Sequence, residues 1–197
     1  MPATIEFFYD FRSPYSYLAF TQLRELDAAI DFKPMKVLTV MEKVGNVPTT
    51  LTCVAKGAYA RTDLGRWAQR YRIPINPSDM RANDGEAMAR AVIAATLEQR
   101  SEVTLALYRA IWSDGRTLEN SKSVLAELSR AGIDTAIIRE LIDAAETTAQ
   151  LDSFTDEAAT RGVFGSPTMF VGDAMFFGND RINFLREEIA HREALHG

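Results

Sequence analysis

The chain has 197 residues, 47% hydrophobic and 25% charged, with a formal net charge of −5; the acidity argues against nucleic-acid binding, which needs a basic face. A single cysteine, Cys53, excludes an intrachain disulfide and Cys-x-x-Cys chemistry. The two histidines, His191 and His196, both lie at the C-terminal end, so neither a Ser-His-Asp triad nor a His/Cys zinc site is easily assembled and no metal is expected.

In chain order, Thr4–Tyr9 is apolar and β-rich and reads as a buried strand. The N-terminus MPATIEFFYD lacks the regions of a secretory signal, and no apolar run approaches the ~20 residues of a membrane span. A cytoplasmic location without a membrane partner is therefore expected. Ser13-Pro14 opens a helix, with Ser favoured at the N-cap and Pro at the first helical position. Tyr17, Leu18, Phe20, Leu23 and Leu26 carry that helix to about Ala28, and Ile30–Thr39 alternates like a second strand. A β-α-β opening of this kind calls for a right-handed crossover and a parallel pair.

Met41–Lys56, around Gly45-Asn46-Val47-Pro48, reads as irregular. Tyr59–Tyr71 is helical until the prolines of Ile73–Pro77 break it. Asp84 caps a helix over Gly85–Arg100, and further helices are predicted at Glu102–Ser113, Ser121–Ala131, Thr135–Ala145 and Thr147–Arg161. Thr168–Val171 and Ala174–Phe177 are short strands joined by Gly172-Asp173, a two-residue hairpin signal. Asn179 or Asp180 then caps a last helix through Glu193. The pattern is α/β: the two ends build one mixed sheet, the helical block is an insertion, and the cleft between them suits a small molecule.

Three stretches carry chemistry. Ser13 caps a helix that follows a buried strand, so it opens at the carboxyl edge of the sheet, where the helix dipole favours an anion such as a thiolate. As a plain helix start, Ser-Pro would serve equally well. Pro167 in Gly165-Ser166-Pro167-Thr168 suits a strand start, and in the cis form it would present the Ser166 backbone to a peptide-like ligand. Phe177-Gly178-Asn179-Asp180-Arg181 is a turn with an N-cap, or a place to hold an ammonium and a carboxylate together. Cys53 reads as a small filler or loop thiol, Trp67 lies near the expected cleft, and Ser16 reads as structural.

In this order and spacing, FYDFRSPYSYLAF (8–20), GNVP (45–48), KGAYARTDLGRWAQRYRIPI (56–75) and VFGSPTMFVGDAMFFGNDRI (163–182) resemble the kappa-class glutathione transferases. They also resemble the bacterial relatives of those enzymes, the 2-hydroxychromene-2-carboxylate isomerases, and the last block is nearest to that branch. The resemblance spans nearly the whole chain. It implies a DsbA-type thioredoxin-like domain over 1–45 and 163–197 with a mainly helical insertion over 46–162. It further implies glutathione as cofactor, a homodimer, and Ser13 stabilising a borrowed thiolate that adds reversibly to an anionic aromatic acid. Ser166 and Pro167 would pair with the cysteinyl part, Phe177, Gly178, Asn179 and Asp180 would hold the γ-glutamyl end, and Asn46 and Lys56 would line the same site. Met41 and Thr50-Leu51 stand where the naphthalene-pathway isomerases carry a Lys and an Asn-Arg pair, which leaves Lys43, Thr50, Lys56 and Arg61 to meet the substrate. Conjugation of glutathione to electrophiles, or a glutathione-binding relative without activity, are the other outcomes the resemblance allows.

Overall fold

The computed structural model describes residues 3–196. β1 (Thr4–Tyr9), β2 (Ala29–Pro34), β3 (Thr168–Val171) and β4 (Ala174–Phe177) form one mixed sheet in the order β2-β1-β3-β4. β1 and β2 run parallel, with Thr4 opposite Ala29 and Tyr9 opposite Pro34. β3 is antiparallel to both β1 and β4. α1 (Pro14–Leu23) crosses from β1 to β2, and α2 (Val37–Lys43), α3 (Thr49–Thr52) and α4 (Val54–Tyr71) follow. Next come α5 (Gly85–Ala94), α6 (Arg100–Trp112), α7 (Ser121–Arg130), α8 (Ala136–Leu141) and α9 (Ala145–Thr160), and α10 (Ile182–His196) closes the chain. Among the described residues no helix is long and apolar enough to cross a membrane.

The period of two along β1 divides the core. Ile5, Phe7 and Tyr9 face α1, α5, α6 and α10, packing with Phe20, Val92, Leu107, Tyr108 and Leu185. Phe8 points the other way and joins Met35, Val40, Ala158, Val163 and Phe170 beneath α2 and α9. α9, expected with the inserted block, therefore covers the second face of the sheet.

β1, β3 and β4 fall on the residues the sequence predicts, and other boundaries shift. α1 stops at Leu23 rather than near Ala28, because tight turns from Glu25 N–H to the Gln22 carbonyl and from Leu26 N–H to the Leu23 carbonyl close it. β2 stops at Pro34 instead of Thr39, and Val37–Lys43 is helical; Pro34 lacks the N–H a longer ladder needs. The Met41–Lys56 stretch holds the end of α2, all of α3 and the start of α4. Asp84 does cap α5 through the Ala87 N–H, but that helix ends at Ala94 and α6 begins anew at Arg100.

A charge cluster locks β1 to β2 and α9. Glu6 Oε2 is 2.7 Å from Lys33 Nζ and 2.6 Å from an Arg161 guanidinium nitrogen, and Glu157 completes the square at 2.6 and 3.3 Å from the same two cations. The Arg161 guanidinium also lies 3.8 Å over the Phe170 ring. Burial alone raises the Glu6 carboxyl, but hydrogen bonds from Arg161 and Lys33 outweigh it and hold the group below its ordinary value. A carboxyl lowered on folding stabilises the fold above its unfolded pKa of ~4.3, and that contribution vanishes as pH falls through the lower folded value. Glu6→Gln is therefore expected to lower Tm at neutral pH, with the variant and parent curves converging below about pH 4. A constant gap between the curves down to acid pH would show that Glu6 does not supply this dependence.

Candidate active site

β1 carries Asp10-Phe11-Arg12 to the carboxyl edge of the sheet, where α1 starts. Ser13 is the N-cap in extended conformation, its Oγ 3.3 Å from the Ser16 N–H, with Pro14 at the first helical position. The Ser13 hydroxyl donates to the Ser166 carbonyl at 3.0 Å. The Ser166-Pro167 peptide is cis, and β3 begins at the next residue. The Ser166 hydroxyl accepts the Asp10 N–H at 2.9 Å and lies 2.6 Å from Ser16 Oγ, which is fully buried below. Ser13 and Ser166, far apart in sequence, thus form one corner.

That corner is braced by residues the sequence reading did not single out. Asp10 is 4% exposed. Its Oδ1 accepts the Arg12 N–H at 2.9 Å and Nε at 3.2 Å, and its Oδ2 accepts an Arg12 terminal nitrogen at 3.1 Å and the Val37 N–H at 3.2 Å. The carboxylate therefore folds the β1–α1 loop and caps α2, whose own N-cap residue, Lys36, offers no side-chain bond. Hydrogen bonding to Asp10 raises the Arg12 guanidinium pKa. From below, Trp112 Nε1 donates to the Phe11 carbonyl at 2.8 Å and the Tyr108 hydroxyl approaches the Asp10 carbonyl at 3.5 Å. The inserted helix α6 is the floor of this loop. An acid closing a buried strand is the signal that was available, because a buried carboxylate needs partners.

On one flank stands the segment after β4. Gly178 has φ +98, a region that favours glycine, and a Cβ there would stand 2.6 Å from Asp180 Oδ1. Its N–H donates to the Pro167 carbonyl at 3.0 Å, which joins the two predicted segments directly. Asp180 is exposed, 2.5 Å from an Arg181 guanidinium nitrogen. Asn179 is 3% exposed, and its Nδ2 has no partner among the described residues. The Asn179 carbonyl accepts the Tyr71 hydroxyl at 3.0 Å, which ties the end of α4 to this flank. The half-exposed Phe177 ring lies against Gly165, where a Cβ would meet it at 2.7 Å, and beside Phe164 at 4.6 Å between centroids.

The other flank is the loop between α2 and α4. Asn46 Nδ2 donates to the Phe164 carbonyl at 2.7 Å, and its Oδ1 accepts the Val47 N–H at 2.8 Å, so Asn46 pins this loop beside Gly165-Ser166. Lys56 lies 3.3 Å from Thr49 Oγ1, and Thr50 and Arg61 are exposed on α3 and α4. Lys43 is turned to α9, where Asp156 takes its charge at 2.5 Å. The Tyr15 hydroxyl lies 3.2 Å from both the Ala60 carbonyl and Asp63 Oδ2, which fastens α4 beside the start of α1. Burial, then the Asp63 charge, pushes this phenol up to about 12, so it stays a neutral donor. Cys53 is exposed between α3 and α4 and belongs to none of these contacts. Among the described residues no group of three His, Cys, Asp or Glu side chains is placed to hold a metal ion.

The fold has counterparts among known proteins. Residues 4–190 match the family model of the DSBA-like thioredoxin domain. A 2-hydroxychromene-2-carboxylate isomerase from Pseudomonas sp. (strain C18) is 32% identical over 196 residues, covering 94% of this chain and 89% of that protein. Glutathione S-transferase kappa 1 from Homo sapiens is 30% identical over 204 residues, covering 94% and 90%. A solved structure of a 2-hydroxychromene-2-carboxylate isomerase superposes with a TM-score of 0.85 at 28% identity, covering 98% of this chain and 97% of that one.

Proposed function

The chain belongs to the DSBA-like thioredoxin domain family, and within it we propose a glutathione-dependent isomerase of 2-hydroxychromene-2-carboxylate-like aromatic acids, yielding a benzylidenepyruvate. The observation that carries the reading is the corner itself. A helix N-terminus, the Ser13 hydroxyl and the Ser166 backbone converge where the protein has no thiol of its own. Its isomerase relatives, matched along nearly the whole chain, support the same choice.

The donor set fits a γ-glutamyl tripeptide thiol. The Ser166 carbonyl lies beside Ser13, as a cysteinyl residue held along that backbone requires. Exposed Asp180 suits an ammonium, and the unpartnered Asn179 Nδ2 is a donor for a carboxylate. Asn46 and Lys56 would line the remaining length. When bound, glutathione supplies a thiol whose anion adds reversibly to a conjugated acceptor. Ser13 stabilises negative charge at the sulfur position by donating its hydroxyl hydrogen, and the start of α1 adds the field of the helix dipole. Arg61 and Lys56 offer positive charge to a substrate carboxylate, with Thr50 beside them; Lys43 would first have to leave Asp156. Phe164 and Phe177 form an aromatic edge next to the corner. The same reading makes the protein a cytoplasmic homodimer, which sedimentation and cell fractionation test.

Calorimetric titration with glutathione is the primary test. Saturable binding is expected, and none at millimolar concentration would overturn the reading. Asp180→Ala is expected to weaken that binding about tenfold, the worth of one hydrogen bond to a charged group. An unchanged affinity would place the γ-glutamyl end elsewhere. Conjugation of electrophiles is the second reading, supported by the likeness to a kappa-class glutathione transferase; a product that keeps the glutathionyl group would select it.

A further inference from the structure

We infer that the side chain of Ser166, and not only its backbone, is a positioning group that sets where the Ser13 hydroxyl stands. The inference rests on the site being one for a thiol ligand, as proposed above. Ser166 holds one corner by three handles. Its hydroxyl takes the Asp10 N–H of the β1–α1 loop at 2.9 Å. The same oxygen bonds Ser16 Oγ in the first turn of α1 at 2.6 Å. Its carbonyl accepts the Ser13 hydroxyl at 3.0 Å.

Counting hydrogens shows what this does. A serine hydroxyl has one hydrogen to donate, and that of Ser13 goes to the Ser166 carbonyl. To donate to a sulfur anion, Ser13 has to turn away from that carbonyl, which is then free to accept an N–H from a peptide-like ligand. The two bonds made by the Ser166 hydroxyl do not involve Ser13 at all. They keep the carbonyl and the start of α1 in register while Ser13 changes partner. Asp10 strengthens the device: its N–H is held by Ser166, and its carboxylate grips Arg12 and the first turn of α2. An apolar side chain at position 166 would leave the Asp10 N–H and the buried Ser16 hydroxyl to find other partners, and the corner would loosen.

The test uses Ser166→Ala and Ser166→Thr, each in two backgrounds. In a Ser13→Cys, Cys53→Ser background the introduced thiol is the only one, and the pH dependence of its alkylation by iodoacetamide reports its pKa without any ligand. Ser166→Ala is expected to raise that pKa by about half a unit or more, and Ser166→Thr, which keeps the hydroxyl, to restore it. An unchanged pKa in folded Ser166→Ala would overturn the inference. With Ser13 in place, Ser166→Ala should lower kcat while KM for the acid substrate holds; a KM effect alone would also overturn it. If Ser166→Ala does not fold, hydrogen exchange of the Asp10 amide in the parent decides. Slow exchange is expected, and exchange at the rate of an open loop counts against the bond. Failure of the parent to bind glutathione would sink the proposed function, while the thiol readout would still judge Ser166.

Discussion

Ser13→Ala should cut turnover by about tenfold to a hundredfold and leave the fold in place. The reasoning starts from a single hydrogen. A hydrogen bond to a charged group contributes about 1.5–3 kcal/mol, and 1.36 kcal/mol corresponds to one pKa unit. Without the Ser13 hydroxyl, the thiol of bound glutathione should therefore titrate about one to two units higher, as read by ultraviolet absorbance of the thiolate. The folding cost is separate and smaller. Losing an N-cap serine costs about 1 kcal/mol, or about 2–4 °C in Tm for a chain of this length. Unchanged turnover and an unchanged thiol pKa would take Ser13 out of the chemistry and leave it as a cap alone.

Asp10→Asn should destabilise the protein by about 2–3 kcal/mol, although it preserves shape almost perfectly. Asp10 is 4% exposed and accepts from four donors, all of them nitrogen. An amide has one acceptor oxygen and one NH2 group, so one side of Asn would point donors at donors. Either Arg12 or the Val37 N–H would lose its partner. The expected Tm drop is about 4–12 °C, accompanied by lower turnover because the loop carrying Ser13 is folded around this carboxylate. Chemical denaturation of Asp10→Asn, Arg12→Met and the double variant would measure the coupling. Additive effects of the two single changes would show that the pair is not a unit.

These two residues differ in how openly the sequence displays them. Ser13 is visible because its surroundings are local: a buried strand, a Ser-Pro helix start and an N-cap follow one another within a few residues. The turn at Gly178 and the hairpin at Gly172-Asp173 are legible for the same reason, since backbone requirements of adjacent residues determine them. Asp10 reads only as an acid at the end of a strand, because its partners at Val37 and Ser166 are distant in sequence. The same long-range cap explains why Val37–Lys43 is helical although its alternation, read alone, continues β2. Lys43 shows what local reading leaves out. Its position in the loop suggests the site, and the fold also brings Asp156 of α9 within reach of its charge.

By itself, the sequence determined the α/β class, the three segments that build the corner, and the absence of a protein thiol there. Each of these follows from residue type and short spacing, which the chain carries wherever it goes. Tertiary structure alone decided that Ser166 bonds both Asp10 and Ser16, that Asp10 caps α2, that α6 floors the loop and that α9 covers the second face of the sheet. Those facts depend on hydrogen bonds and packing between residues far apart in the chain. Such contacts have no periodic signature, and burial makes them obligatory only once the sheet has brought the partners together.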